Sequence, residues 1–287
     1  MLKNKKFLIA GAGGQLAKEF QRAALRQHLN LIAPPEGDFN ITDKKQIENT
    51  FKKIKPDIVI NGAAYNLVDE AEGSGAPAFA VNAQAVESLA LACRDHKAFF
   101  VHYSTDYVFD GKKGSPYIEE DRVNPLNVYG TSKLKGEEAI GAHLKDFLIF
   151  RLSWLFGSGK QNFLYKLYQW AQKNETLKIS NDEISVPTYT EDVVRATFLS
   201  LEKGLRGLYH LTNSGYCSRF ELAKYFFMKM GLNNTLEGVP MGDFKLKARR
   251  PLFSAMSNAK IIKNLNQTIP TWQDAVDRFA ADFKKQL

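Results

Sequence analysis

Tyr129 and Lys133 stand four residues apart in Asn127-Val-Tyr-Gly-Thr-Ser-Lys133, so a helix opening near Tyr129 carries both on one face, about one turn from each other. A phenol with a pKa near ~10 exchanges its proton poorly at neutral pH, and a fixed positive charge beside it favours phenolate and lowers that value. Such a pair can protonate a carbonyl oxygen. Upstream, Ser104-Thr-Asp-Tyr-Val-Phe-Asp-Gly111 adds hydroxyls and a carboxylate. The chain is organised around this stretch, Ser104 to Lys133.

The elements that must position it follow from pattern. Phe7–Ala10 is a short apolar run suited to a buried parallel strand, followed by Gly11-Ala-Gly-Gly14-Gln-Leu-Ala17 and an amphipathic helix to about His28. Gly11 permits a tight turn, Gly14 lets backbone approach a pyrophosphate, and the helix N-terminus offers unpaired N–H groups to that anion. Ala17 occupies the third glycine position. A second strand over Leu29–Ala33 ends in Pro34-Pro35 where a ribose-binding carboxylate would stand; Glu36 is the substitute at hand, so NADPH and NADH both remain open. Asp38-Phe39 is an adenine-side candidate, and Thr42 or Asp43 caps a basic helix. A third strand, Asp57–Gly62, runs into small residues that let a cofactor lie against backbone. Next come Val68–Glu72, a turn containing Gly73, Gly75 and Pro77, and a helix through about Asp95. Asn82, near the start of that helix, reads as a packing hydrogen bonder.

A fourth strand, Ala98–Tyr103, delivers Ser104-Thr105-Asp106 at its carboxyl end, where open parallel sheets bind ligands. A Gly-, Pro- and charge-rich loop reaches Val128, a helix runs from Tyr129 to about His143, and a fifth strand spans Phe147–Trp154. The alternation then loosens into helices near Phe163–Lys173, Glu191–Lys203, Phe220–Met230 and Trp272–Lys284, with short strands near Leu177–Ser180 and Gly207–Thr212. The expected architecture is α/β: a Rossmann-type doubly wound parallel sheet over 1–153 as dinucleotide-binding domain. A smaller substrate-binding lobe spans 154–287, parts of which pack back on the first.

Composition narrows the class. With 287 residues, 44% hydrophobic, 20 Phe and 11 Tyr, the chain can bury a large core and is not a disordered tail. The net charge of +8 permits an acidic partner, but the lysines are scattered along helices such as Thr42–Lys55, as solvated faces are, so no nucleic acid is expected. Two cysteines, Cys93 and Cys217, suggest neither disulfides nor a thiolate metal site and fit a reducing cytoplasm. His28, His96, His102, His143 and His210 lack metal-ligand spacing, so no catalytic metal is expected. The basic start breaks at once into glycines rather than forming a signal peptide, and no apolar run approaches the ~18 residues of a membrane span.

Seven motifs follow one another in an order that resembles the extended short-chain dehydrogenase/reductases over nearly the whole length. They are Gly11–Leu16, Asn61–Glu72, His102–Gly111, Pro125–Lys133, Arg151–Trp154, Val186–Tyr189 and Ala248–Pro251. The resemblance implies Tyr129 as proton donor, Lys133 as holder of the nicotinamide ribose, and Thr105 as hydrogen-bonding partner of the reacting oxygen. It implies cofactor contacts from Gly11, Gly14, Gln15, Leu16, Asp38, Phe39, Ala63, Ala64, Tyr65, Tyr103, Tyr129 and Lys133, and substrate contacts from Thr105, Asp106 and Trp154. Arg249 or Arg250 is the candidate for a diphosphate, by bidentate hydrogen bonding. The implied reaction is NADPH- or NADH-dependent reduction of a dTDP-4-keto-6-deoxy sugar, in an enzyme that family likeness makes a candidate homodimer.

Alternatives within the family are another nucleotide-keto-sugar reductase, an epimerase or dehydratase, and a non-catalytic regulatory subunit resembling that of methionine adenosyltransferase. The dehydratases place an acid directly after Thr-Asp, where this chain has Tyr107. Ser153-Trp154 resembles the reductases rather than the regulatory relatives.

Overall fold

The computed structural model describes residues 2–286. In chain order the elements are β1 (Lys6–Ala10), α1 (Gln15–Gln27), β2 (Asn30–Ile32), α2 (Lys44–Ile54), β3 (Ile58–Asn61), α3 (Val68–Gly73), α4 (Gly75–Phe79), α5 (Ala85–Asp95), β4 (Phe99–Thr105), α6 (Val128–His143) and β5 (Phe147–Leu152). They continue with β6 (Leu155–Phe156), α7 (Phe163–Ala171), β7 (Thr176–Ser180), β8 (Ile184–Ser185), β9 (Thr188–Tyr189), α8 (Thr190–Glu202), β10 (Gly207–His210), β11 (Cys217–Ser218), α9 (Arg219–Met230), β12 (Thr235–Val239), α10 (Ala259–Leu265) and α11 (Trp272–Lys284).

Six strands pair in parallel in the order β10-β5-β4-β3-β1-β2. Both faces are covered, which is why β1 reads as a continuous apolar run rather than an alternation. Phe7 and Ile9 face one layer with Leu16, Phe20, Val193, Phe198 and Ile261, so α1, α8 and α10 lie there. Leu8 and Ala10 face the other with Phe51, Leu89 and Ile140 of α2, α5 and α6. The strand order changes direction at β1, between β2 and β3, which opens a crevice beyond the strands' carboxyl ends.

A separate core joins α7, α9 and α11 through Leu164, Leu167, Phe226, Trp272 and Phe279, with the parallel β7/β12 pair at its edge. The chain between these bodies crosses back and forth: β10 completes the large sheet beside β5, and α8 packs on α1. Caps set several boundaries. Asp43 accepts from the Lys45 and Gln46 amides, Asn127 from Gly130, Asn162 from Tyr165, and Ser218 with Glu221 forms a reciprocal capping box, each such cap contributing roughly 1 kcal/mol.

Local pattern misses some of this. Gly73, Gly75 and Pro77 do not form an open turn: α3 ends at Gly73, and α4 begins at Gly75 with Pro77 in its first turn, where a missing N–H costs no helical bond. A π-turn, Ala80–Gln84, then leads into α5. β4 runs on to Thr105, and β5 stops at Leu152, because Trp154 is left-handed at φ 40°. The two-residue strands β6, β8, β9 and β11, together with β12 and α10, carry too little periodicity to be read locally.

Candidate active site

The crevice at the ends of β1, β3, β4 and β5 is a cleft of about 670 Å³, well within the range that holds a small-molecule ligand. Its first wall is mostly backbone. Gly11 turns the chain out of β1 at φ 74°, and a Cβ there would meet the Ala63 backbone at 2.8 Å. Gly14 donates to the Gly11 carbonyl at 2.9 Å and stands as the N-cap of α1 with no side-chain cap, so first-turn amides of α1 are free for an anion. Gly14, Gln15, Leu16 and Ala64 line the cleft, and among the described residues Gln15 Oε1 and Ser104 Oγ are buried without a partner. Close backbone, an uncapped helix start and two unpaired polar atoms suit a dinucleotide with its pyrophosphate at α1.

The proposed chemistry meets at the end of β4. Thr105 caps a short 3-10 turn, Asp106–Val108, by accepting the Tyr107 amide at 3.2 Å, and donates to Asp106 at 3.2 Å. Asp106 is buried and also accepts from Ser185 and Ser254, at 2.9 and 2.5 Å. Burial nonetheless raises its carboxyl pKa to about 6 against those hydrogen bonds. Across the cleft, Tyr129 is half-buried, edge-on to the Tyr107 ring, with its hydroxyl 3.5 Å from Asn66 Oδ1.

The phenol does not show the lowered pKa expected from a neighbouring lysine. Burial pushes Tyr129 up to about 12, with the Thr105 hydroxyl working the other way and Asp106 adding to the rise. The physical reason lies in Lys133, which is 2% exposed and donates at 2.6 Å to the Tyr103 carbonyl rather than to the phenol. Burial lowers the Lys133 pKa to about 8, opposed by Glu137 one turn further along α6. Glu137 in turn is gripped bidentately by Arg151 of β5 at 3.0 and 2.7 Å, which fixes α6 against the sheet.

The second wall is made of side chains. Trp154 and Phe163 flank the Arg219 guanidinium, 3.7 and 4.9 Å from the ring centroids, and Arg219 pairs with buried Glu183 at 3.1 Å. Glu183 also lies 3.5 Å from the Tyr107 hydroxyl. Arg250 lines the cleft but is paired bidentately with Asp69, at 3.1 and 2.6 Å, and holds that carboxyl below its usual range.

Gly14, Gln15, Leu16, Ala64, Tyr103, Thr105, Asp106, Tyr129, Lys133, Trp154 and Arg250 thus line one cavity. Gly11 and Ala63 lie behind it, packed on each other. Tyr103 turns its hydroxyl to Thr197 under the sheet and offers its carbonyl. The Phe39 ring belongs to the core, 2% exposed, whereas Asp38 is exposed after β2. Tyr65 has both backbone groups held by Asn82, at 2.9 and 3.0 Å, and Asn82 also donates to Ser132 at 2.9 Å. Arg249 is exposed; its carbonyl accepts from Asn127 at 2.8 Å. Sequence reasoning does not reach Asn66, Arg219 or Glu183. Only the capping box places Arg219 at a helix start, and nothing local aims it at Trp154.

Comparison with known proteins agrees with this fold. Residues 5–285 match the family model described as the RmlD substrate binding domain. The chain is 37% identical over 256 residues to the spore coat polysaccharide biosynthesis protein SpsK of Bacillus subtilis, covering 89% of this chain and 90% of that one. It is 36% identical over 288 residues to the dTDP-4-dehydrorhamnose reductase of Escherichia coli K12, covering 94% and 95%. The dTDP-4-dehydrorhamnose reductase of Bacillus anthracis, solved in complex with NADP, superposes with a TM-score of 0.94 at 30% identity, over 97% of this chain and 99% of that one.

Proposed function

This chain belongs to the RmlD substrate binding domain family, and from that membership we propose that it reduces the C4 keto group of dTDP-4-dehydro-L-rhamnose to give dTDP-L-rhamnose. It is an NAD(P)H-dependent oxidoreductase of the dTDP-4-dehydrorhamnose reductase type. The observation that carries the reading is the meeting of Thr105, Tyr129 and Lys133 at the end of β4, across one cleft from the uncapped start of α1.

The residues divide the work. Gly14, Gln15 and Leu16 would hold the pyrophosphate with backbone amides, Gly11 and Ala63 keep that turn in place, and Ala64 and Tyr65 would present backbone to the cofactor. Asp38 and the Phe39 backbone would stand on the adenine side. When bound, reduced NAD(P)H supplies a hydride to the carbonyl carbon. Tyr129 Oη gives its proton to the carbonyl oxygen as that oxygen becomes an alkoxide, and a phenol held near 12 stays protonated throughout the neutral range, ready as an acid. Thr105 hydrogen-bonds the same oxygen. Lys133, pinned by the Tyr103 carbonyl, would hold the ribose through its remaining N–H groups. Asp106 and Trp154 bound the sugar, and Arg250 stands at the diphosphate end. Residence in the cytoplasm and assembly as a homodimer belong to the same proposal, the latter checked by sedimentation.

Offering dTDP-4-keto-L-sugar with NADH and NADPH separately, and following loss of reduced cofactor, tests the reaction and settles cofactor choice. Tyr129→Phe is expected to lower kcat by roughly 10²–10⁴-fold, the usual worth of a general acid, with cofactor affinity unchanged. Near-normal turnover in that variant rejects the assignment.

A further inference from the structure

Behind Lys133 lies a run of buried polar side chains that the mechanism above does not use. Asn61 ends β3 and His102 is its neighbour on β4; they are 1% and 0% exposed. Asn61 Oδ1 accepts the Ala63 amide N–H at 3.1 Å, which fixes the orientation of the carboxamide. Its Nδ2 is then the atom 3.1 Å from His102 Nδ1. A carboxamide nitrogen only donates, so Nδ1 must accept, and the single proton of a neutral imidazole sits on Nε2. An imidazolium would bring two donors face to face at Nδ1. Burial also holds His102 well below its ordinary range, with Lys133 adding to the effect. The other ring nitrogen, Nε2, lies 3.4 Å from Lys133 Nζ.

We propose that Asn61 and His102 are positioning residues acting through Lys133: Asn61 fixes the Nε2–H tautomer of His102, which turns an N–H rather than a lone pair toward the lysine and so favours its neutral amine. An ammonium has no lone pair to receive that N–H, whereas an amine accepts it and still donates to the Tyr103 carbonyl. The other groups around α6 do not replace this control. Glu137 favours the ammonium but is already gripped by Arg151. Tyr129 lies a turn before Lys133, and Asp106 and Tyr107 flank the phenol. Asp69 and Glu72 of α3 are engaged by Arg250 and the Val128 amide, and Glu87 of α5 pairs with His143 at the far end of α6. Neither α4 nor the π-turn carries a titratable side chain.

The consequence rests on the proposed function, in which the Lys133 ammonium holds the ribose. Burial already brings the Lys133 pKa to about 8, and the N–H turned toward the amine works in the same direction, so the site loses its cation as pH rises through that range rather than above 10. Asn61→Asp is the direct test. A carboxylate accepts from both Ala63 and His102, so the imidazole proton moves to Nδ1 and the Nε2 lone pair receives the ammonium. The alkaline limbs of NADPH affinity and of kcat/KM should both move up by roughly one pH unit or more.

The tautomer itself is read by two-bond ¹H–¹⁵N correlation in ¹⁵N-histidine-labelled protein, the His102 signals being those lost in His102→Gln. Wild type should show a neutral Nε2–H ring across the neutral range, and Asn61→Asp the Nδ1–H form. An Nδ1–H ring or a titrating imidazolium in the wild type overturns the proposal even if Asn61→Asp fails to fold. So does an unmoved NADPH limb once the tautomer has switched. Neither the tautomer nor NADPH affinity requires the sugar, so a chain that passes both and does not reduce the keto-sugar loses the proposed reaction and keeps this one.

Discussion

The two walls of the cleft are built in opposite ways. The wall under β1 is backbone from two short runs, residues 11–16 and 61–65, set by one left-handed glycine and by strand pairing. The facing wall is side chains, Trp154, Phe163, Arg219 and Arg250, drawn from separate segments and held by stacking and by ion pairs to Glu183 and Asp69. A backbone wall accepts any ligand with a pyrophosphate in the right place, whereas a side-chain wall can be re-cut without disturbing the sheet. Damage to the first should therefore appear in cofactor affinity, and damage to the second in the KM for the sugar.

The largest effect expected of such a division is at Gly11. Gly11→Ala puts a side chain at φ 74° and a Cβ within 2.8 Å of the Ala63 main chain, which cannot move without shifting β3. The left-handed conformation alone costs about 1–2 kcal/mol, and the clash brings the loss to roughly 3 kcal/mol. NADPH Kd should rise more than about tenfold, measured by fluorescence titration beside a thermal melt. Unchanged affinity would mean that the turn is not a cofactor wall.

Next in size is Arg219, on the other side. Arg219→Ala uncovers Trp154 and leaves the Glu183 carboxylate, 4% exposed, without its cation. Arg219 itself keeps some solvent contact, so the cost falls below that of a fully buried pair, roughly 2 kcal/mol. The KM for dTDP-4-keto-sugar should rise about ten- to hundredfold with NADPH Kd within about twofold. Arg219→Lys restores the charge but not the planar stack, and should fall between. If the two affinities fall together in Arg219→Ala, the walls are one structure and the comparison fails.

The same difference explains what local sequence discloses. The strand–glycine–helix unit at Gly11, the strand that delivers Thr105 and the helix that carries Tyr129 and Lys133 are each written in contiguous residues, the strands as apolar runs and the last helix by the four-residue spacing of its functional pair. The placement of α8 and β10 in the first body is not, because an apolar helix or strand does not state which core it will join. Arg219 and Glu183 meet across 36 residues, and Trp154 is aimed by a left-handed backbone that its own sequence does not advertise. Lys133 shows the limit most sharply: spacing places it one turn from Tyr129, but only the Tyr103 carbonyl, the His102 ring and the exclusion of water decide where its protons go.

The smallest effects come from the adjacent arginines, and they test how far the side-chain wall extends. Arg250 is mostly covered and binds Asp69 with two hydrogen bonds, whereas Arg249 is exposed and contributes only its carbonyl, to the Asn127 cap of α6. Arg249→Ala should change stability by no more than about 0.5 kcal/mol, and the KM for the sugar should not move. Arg250→Ala should cost roughly 1 kcal/mol, since Asp69 stays partly in water, and should raise that KM severalfold. The stability difference carries a pH signature. Arg250 holds Asp69 below its ordinary range, so the contribution is fully present above about pH 4, the unfolded value, and fades as acid protonates Asp69 through its lower folded value. Melts of wild type and Arg250→Ala should therefore converge in acid. Equal KM effects from both arginines would put the diphosphate across the pair, and extend the side-chain wall to the solvent edge.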